Sequence, residues 1–175
     1  MKKHKSGKMI IYPGSFDPIT NGHISITRRA LAIYDSVTIA VSSNPMSKTL
    51  FTLEERVDMI REAIKNEGNV FVDSFDCLLV DYVTNKKTNV VLRGMRALSD
   101  FEYEFQMSLM NRRLNRSIET IFMMTDYKWL YISSTIIKEA AFYNGSVKGL
   151  VPEIVCQKLK EKFGHNKTNP DKPEK

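Results

Sequence analysis

The sequence predicts an α/β fold: a doubly wound, Rossmann-like sheet of five parallel strands with helices on both faces. Three observations predict it. Short apolar, β-branched runs alternate with helical patterns from residue 9 to residue 163. The runs lack polar alternation, as expected of strands covered on both faces. Unusual residues gather just after the first and fourth runs, at Gly14-Ser15 and Arg93-Gly94. In sheets of this kind ligands bind at the carboxyl ends of strands, near a switch in strand order.

Each element has a local justification. Residues 9–12 read as a buried strand, and residues 22–34 as a helix with Ile24, Thr27, Leu31 and Tyr34 near one face. Residues 36–41 form the second strand, followed by a loop over 42–51. Thr52-Leu53-Glu54-Glu55 is a capping box, in which Thr52 and Glu55 satisfy each other's backbone amides. Its helix carries Leu53, Val57, Ile60 and Ile64 on one face and stops near Gly68. Residues 69–73 are the third strand, 77–86 a short helix and 89–93 the fourth strand. Ser99-Asp100-Phe101-Glu102 is a second capping box, opening a helix that reaches about Leu114. Residues 118–123 are the fifth strand, and 133–143 and 152–163 the closing helices. Pro152 suits a first helical position and Gly164 a helix stop.

The chain of 175 residues suits one domain with a substantial core, expected over 9–164. Residues 1–8 read as a basic extension and 165–175 as a polar tail, both expected to be disordered. The net charge of +6 resides mostly in these ends: +4 in residues 1–8 and +1 in residues 165–175. A body near neutrality argues against a nucleic-acid face, for which lysines and aromatics would have to interleave. No apolar run approaches the roughly 20 residues that span a bilayer, and the basic start lacks the apolar segment of a signal peptide. Cys77 and Cys156 share no metal spacing and fall in helical patterns. They read as buried or partly buried free thiols in a reducing cytoplasm.

The richest stretch is Tyr12-Pro13-Gly14-Ser15-Phe16-Asp17-Pro18-Ile19-Thr20-Asn21-Gly22-His23. A strand ends, the chain turns, and a helix begins whose amide groups and positive dipole end favour phosphate. Gly14 and Gly22 remove side chains where another segment or a ligand comes close. His23 lies in the first helical turn, within reach of the same anion. Arg93 and Arg96 end another strand, and Ser133-Ser134-Thr135 opens another helix. The chain contains neither Gly-x-x-x-x-Gly-Lys-Ser/Thr nor Gly-x-Gly-x-x-Gly, which excludes an ordinary P-loop and a dinucleotide fingerprint.

Thr20-Asn21-Gly22-His23 resembles the Thr-x-Gly-His signature of the nucleotidylyltransferase superfamily. With the run from Arg93 to Glu104 and Ile132-Ser133-Ser134-Thr135, the chain resembles bacterial phosphopantetheine adenylyltransferases over residues 9–163. The resemblance implies adenylyl transfer from ATP to 4′-phosphopantetheine, giving dephospho-CoA and pyrophosphate in coenzyme A synthesis. It implies Mg²⁺ accompanying ATP without a protein cage, no metal-ligating residues, and a homohexamer. His23 would stabilise the α-phosphate, with Arg96 and a loop lysine as further catalytic groups. ATP would lie against Ser15, Phe16, His23, Gly94, Met95, Arg96 and Glu104, and against the wall formed by Trp129, Leu130, Tyr131, Ile132, Ser133, Ser134 and Thr135. The acceptor would meet Ser15, Arg93, Leu79 and Asn111. The family's loop lysine aligns without gaps on Ser47, with Lys48 beside it. Either the loop shifts by one residue and Lys48 serves, the favoured reading, or Ser47 makes a weaker contact. Without the resemblance, Glu104 reads as an exposed charge on a solvated helix face. Trp129 and Tyr131 read as core or interface aromatics, and the serines as an N-cap.

Other acceptors fit the superfamily less well. An alcohol-phosphate cytidylyltransferase typically carries Arg-Thr-Glu-Gly before the serine-threonine cluster, where this chain has Asp126-Tyr127-Lys128-Trp129. A nicotinate-mononucleotide enzyme usually has a longer chain. A basic nucleic-acid-binding module is the alternative of another class.

Overall fold

The computed structural model describes residues 8–44, 46, 48–96 and 98–164, without the side chains of 98–100. The expectations for residues 1–7, for the tail 165–175, for Ser47 and for a capping box at Ser99 lie outside the described residues. Lys8 is described: its amide donates to Asp35 Oδ2 at 2.6 Å and its carbonyl accepts from the Asp35 amide. These two bonds tie Lys8 to the start of the second strand through Asp35.

The elements run β1 Met9–Gly14, α1 Asn21–Leu31, β2 Ser36–Ser42, α2 Leu53–Ala63, β3 Val70–Phe75 and α3 Leu79–Asn85. They continue with β4 Val90–Met95, α4 Leu98–Leu114, β5 Glu119–Met124, a 3₁₀ turn Tyr127–Trp129, α5 Ser134–Phe142 and α6 Glu153–Phe163. All five strands are parallel, in the order β3-β2-β1-β4-β5. The sheet thus has the doubly wound arrangement that the sequence predicts, with its switch between β1 and β4.

Local chemistry sets most boundaries. Thr20 caps α1 and Thr52 caps α2, each with the reciprocal bond of a capping box. Gly164 ends α6 at φ 74°, a left-handed position that favours glycine. Pro152 is the N-cap of α6, one position before its expected place. The third and fourth strands run two residues past their expected ends, because parallel pairing continues to Phe75 and Met95. The third helix begins at Leu79, so Cys77 precedes it and is exposed, contrary to the expectation of a sheltered helical thiol. Cys156 is buried in α6, and both thiols are free.

Strand alternation divides the core. Ile10, Leu92 and Ile39 pack with Ile26, Ile60, Ile137 and Leu159 from α1, α2, α5 and α6. Ile11 and Val91 point the other way, against Val80 and Val83 of α3 and against Ile118. By the same two-residue period, Tyr12 and Gly94 share the first face, while Pro13 and Arg93 share the second. Among the described residues no helix is long and apolar enough to cross a membrane.

Gly94 is held by this packing. A Cβ added there would lie 2.4 Å from Ile26 Cδ1 and 3.0 Å from the Tyr12 hydroxyl. Gly94→Ala should therefore destabilise the protein by about 1–3 kcal/mol through overpacking. Ile26→Val removes the obstructing methyl, so the double variant should lose less than the sum of the two single variants. Denaturant melts check this, and strict additivity would show that Ile26 is not the obstacle.

Candidate active site

The carboxyl ends of β1 and β4 open into a cavity of about 490 Å³. One wall is Pro13, Gly14, Ser15 and Phe16, running into Thr20, Gly22 and His23 of α1. Arg93, Gly94 and Arg96 form the β4 side, and Trp129 with Ile132, Ser133, Ser134 and Thr135 forms the far side. A second cavity of about 200 Å³ adjoins it on the α3–α4 face, lined by Phe75, Leu79, Met107, Ser108 and Asn111. Both cavities are lined by Ser15, Arg93, Tyr103 and Glu104.

His23 occupies the third position of α1. Its Nδ1 accepts the Thr20 amide at 3.0 Å and lies 3.0 Å from Thr20 Oγ1. An accepting Nδ1 places the ring proton on Nε2. Burial, and then the charges of Arg96 and Arg93, push this imidazole from the ordinary 6.5 down to about 4. At neutral pH His23 is thus a neutral donor whose orientation is set by the helix cap. Phe16 packs edge-on against it at 5.2 Å between ring centroids. Phe16 itself is buried and adopts φ 46°, in the left-handed region.

Arg93 points to the face opposite Gly94. Its Nε donates to Glu104 Oε2 at 2.6 Å, its Nη2 to Glu104 Oε1, and its Nη1 to the Pro13 carbonyl at 2.7 Å. Three of the five guanidinium N–H groups are taken, leaving two for a ligand. Glu104 is therefore a half-buried partner of Arg93 on the wall common to both cavities, not a charge on a solvated face. Arg96 reaches the Ile132 carbonyl at 3.3 Å.

The start of α5 divides its hydroxyls. Ser133 caps the helix by accepting the Ile136 amide at 3.1 Å, which leaves its O–H available as a donor. Ser134 donates to the Pro18 carbonyl at 2.8 Å, across the cis Asp17–Pro18 bond. Its hydroxyl proton is thus committed to the β1–α1 loop. The first-turn amides of α5 and the Ser133 and Thr135 hydroxyls remain as anion donors.

Of the sequence-predicted residues, Ser15, Phe16, His23, Gly94, Arg96, Glu104, Trp129, Ile132, Ser133, Ser134 and Thr135 line the large cavity. Leu79 and Asn111 line the small one, and Ser15, Arg93 and Glu104 line both. Met95, Leu130, Tyr131 and Lys48 line neither cavity. Met95 is buried, and Leu130, Tyr131 and Lys48 are exposed. Trp129 both packs against the core, as its residue type suggests, and lines the cavity wall.

Sequence reasoning missed the groups that brace this wall. Buried Asp17 accepts the amides of Leu50 and Phe51 at 2.9 and 3.0 Å and Lys138 Nζ at 2.7 Å, joining three distant segments. Buried Arg56 donates to the Ser15 and Ser42 carbonyls at 2.6 and 3.1 Å. Tyr12, Tyr103 and Phe75 also line the cavities without having been singled out. Tyr12 and Tyr103 lie inside quoted motifs, and Phe75 lies on the part of β3 beyond its expected end.

A family model described as cytidylyltransferase-like matches residues 11–140, which span most of the sheet and both cavities. The chain is 58% identical over 156 residues to a phosphopantetheine adenylyltransferase of Syntrophus aciditrophicus, covering 89% of this chain and 94% of the relative. The chain belongs to the cytidylyltransferase-like family, in its phosphopantetheine adenylyltransferase branch. Relatives of that name from Desulfosudis oleivorans and Oleidesulfovibrio alaskensis are 56% and 54% identical, over 90% and 91% of this chain and 94% of each relative. The family assignment agrees with the all-parallel sheet and with the helix-start geometry at Thr20-Asn21-Gly22-His23.

The depressed His23 imidazole has a consequence for stability. Below pH 6.5 the unfolded chain takes up this proton, while the folded chain resists it down to about 4. Stability therefore falls as pH drops across that window. His23→Gln keeps an acceptor at the third helical position and removes the titration. Its urea midpoint should decline less between those pH values than that of the parent protein. Equal acid profiles would show that His23 titrates normally in the fold.

Proposed function

We propose that this chain transfers the adenylyl group of ATP to 4′-phosphopantetheine, giving dephospho-CoA and pyrophosphate in coenzyme A synthesis. The observation that carries the reading is the meeting of two cavities at Arg93 and Glu104, one beside a phosphate-facing helix start and one lined by Leu79 and Asn111. A triphosphate suits the first and a phosphate with an apolar-amide arm suits the second.

The reaction asks little covalent chemistry of the protein. An oxygen of the acceptor phosphate attacks the α-phosphorus, and the bond from that phosphorus to the bridging oxygen of the β-phosphate breaks. The nucleophile is already ionised near neutral pH, so no protein base is needed. Catalysis rests on alignment and on stabilising charge at the α-phosphate. His23 Nε2–H supplies a neutral donor there, and Arg96 with the start of α5 holds the triphosphate. Arg93 offers its two remaining N–H groups to the acceptor phosphate, with Glu104 fixing its plane. Lys48 joins them from the loop after β2. Trp129, Leu130, Tyr131 and Ile132 border the base, with Met95 contributing backbone.

Mg²⁺ enters with ATP as part of the substrate. Among the described residues no three His, Cys, Asp or Glu side chains gather as a metal site. Both Glu104 oxygens are held by Arg93, and the protein oxygens on the α5 wall are the Ser133 and Thr135 hydroxyls. That donor set suits an ion whose charged ligands are phosphates and whose remaining ligands are mostly water.

The proposed enzyme works in the cytoplasm as a homo-oligomer, a hexamer by the resemblance. Supporting the assembly, α4 exposes Phe105, Met107, Leu109, Met110 and Leu114, and the edge strand β5 exposes Ile121 and Met124.

Pyrophosphate release with ATP tests the reading against three acceptors: phosphopantetheine, nicotinate mononucleotide and glycerol phosphate. Turnover is expected with the first, and turnover only with either of the others would refute it. Arg93→Ala should weaken phosphopantetheine binding more than ATP binding, as calorimetry can read, because a guanidinium grips a phosphate through paired N–H groups. Equal losses for both ligands would remove Arg93 from the acceptor side. His23→Ala should lower kcat about 10²–10³-fold with little change in ATP affinity, the effect of losing one preorganised donor. Near-normal turnover with a raised KM for ATP would instead assign His23 to ground-state binding.

A further inference from the structure

Tyr12 has a side chain whose polar end the protein does not use. The residue is 4% exposed, at the end of β1 on the face it shares with Gly94. Its ring packs edge-on against Phe16 at 5.3 Å and lies 6.3 Å from the His23 ring. These contacts fix its direction. Among the described residues its hydroxyl has no hydrogen-bond partner. Yet no side-chain oxygen or nitrogen among them is both sealed from solvent and unpaired, so the hydroxyl opens into the large cavity that Tyr12 lines. It sits 3.0 Å from where a Cβ at position 94 would stand, which makes the missing side chain of Gly94 the gap over which it points.

A tyrosine so deeply placed ordinarily pairs its hydroxyl. Here the pairing is left to whatever fills the cavity. Burial raises the phenol above its ordinary value, which keeps the proton on oxygen and makes the group a donor. The same cavity is lined by His23, with its neutral Nε2–H, and by Arg96 and, from the opposite face of β4, Arg93, all suited to phosphate oxygens. A neutral O–H adds directionality without adding charge.

We propose that the Tyr12 hydroxyl contacts the nucleotide directly, donating a hydrogen bond to a phosphate oxygen of ATP above Gly94. This rests on the adenylyl-transfer reading for the identity of the ligand. In that role Tyr12 and His23 form a pair of neutral donors on one face of the sheet, opposite the charged Arg93–Glu104 pair.

Tyr12→Phe keeps the ring and removes only the oxygen. Because no bond within the protein is lost, the thermal midpoint should be unchanged. With ATP and phosphopantetheine, kcat/KM for ATP should fall about 10- to 100-fold, the effect of deleting a donor to a charged group. Values within twofold of the parent protein would overturn the proposal. A second readout separates this inference from the functional reading: protein labelled with ¹³C at tyrosine Cζ, the Tyr12 signal assigned by its absence from the variant. Addition of Mg-ATP should shift that signal, whatever acceptor the enzyme uses. If the parent protein does not turn over phosphopantetheine, the functional reading fails. The shift then still supports the Tyr12 contact, and an unmoved signal refutes it.

Discussion

The site depends on the adjacency of β1 and β4. These neighbouring strands are the point where the connections leave the sheet in opposite directions, so a crevice must open between them. The two-residue period of β4 then sends Arg93 and Gly94 to opposite faces. One face receives the neutral His23 and the helix starts, and the other receives Glu104, Leu79 and Asn111. Two ligands can thus approach one line of contact from the two sides of a single strand.

The electrostatics of the crevice follow from where the cations are placed. Arg93 is half neutralised by its two bonds to Glu104, and His23 is kept uncharged by burial and by the arginines themselves. The site therefore holds less positive charge than its residue list suggests. A fully charged histidine between two arginines would be costly before any ligand arrived. A neutral donor fixed by a helix cap avoids that cost and, in the proposed reaction, would still meet charge as it develops.

What the sequence made legible was local. Thr52 and Glu55, and Gly164, act within a turn of helix, and their spacing alone predicts what they do. The equally local cap between Thr20 and His23 reads in the sequence only as a phosphate-facing helix start. The parallel sheet was legible because strands buried on both faces carry unbroken apolar runs. The braces were not. Asp17 and Lys138 are 121 positions apart, and Arg56 and Ser15 are 41 apart, so no periodicity links them. Glu104 shows the same limit: its helix position suggested solvent, and only the fold brought it to Arg93. Ser134 differs again, since its type fitted a phosphate donor while a long-range bond to Pro18 had already claimed its proton.

Phe16 is subject to two opposed demands. Its backbone at φ 46° would be relaxed by glycine, since a residue with a Cβ is disfavoured there by about 1–2 kcal/mol. Its ring, however, is wedged between Tyr12 and His23 and gives both a rigid flank. Substitution by glycine would ease the chain and unmoor the two donors together. The ring decides the balance: Phe16 is buried in the core, and losing such a side chain costs about 3–5 kcal/mol, more than the strain relief returns. A screen that selects for heat resistance alone would therefore keep Phe16 despite its strained backbone, and with it the flank that holds Tyr12 and His23.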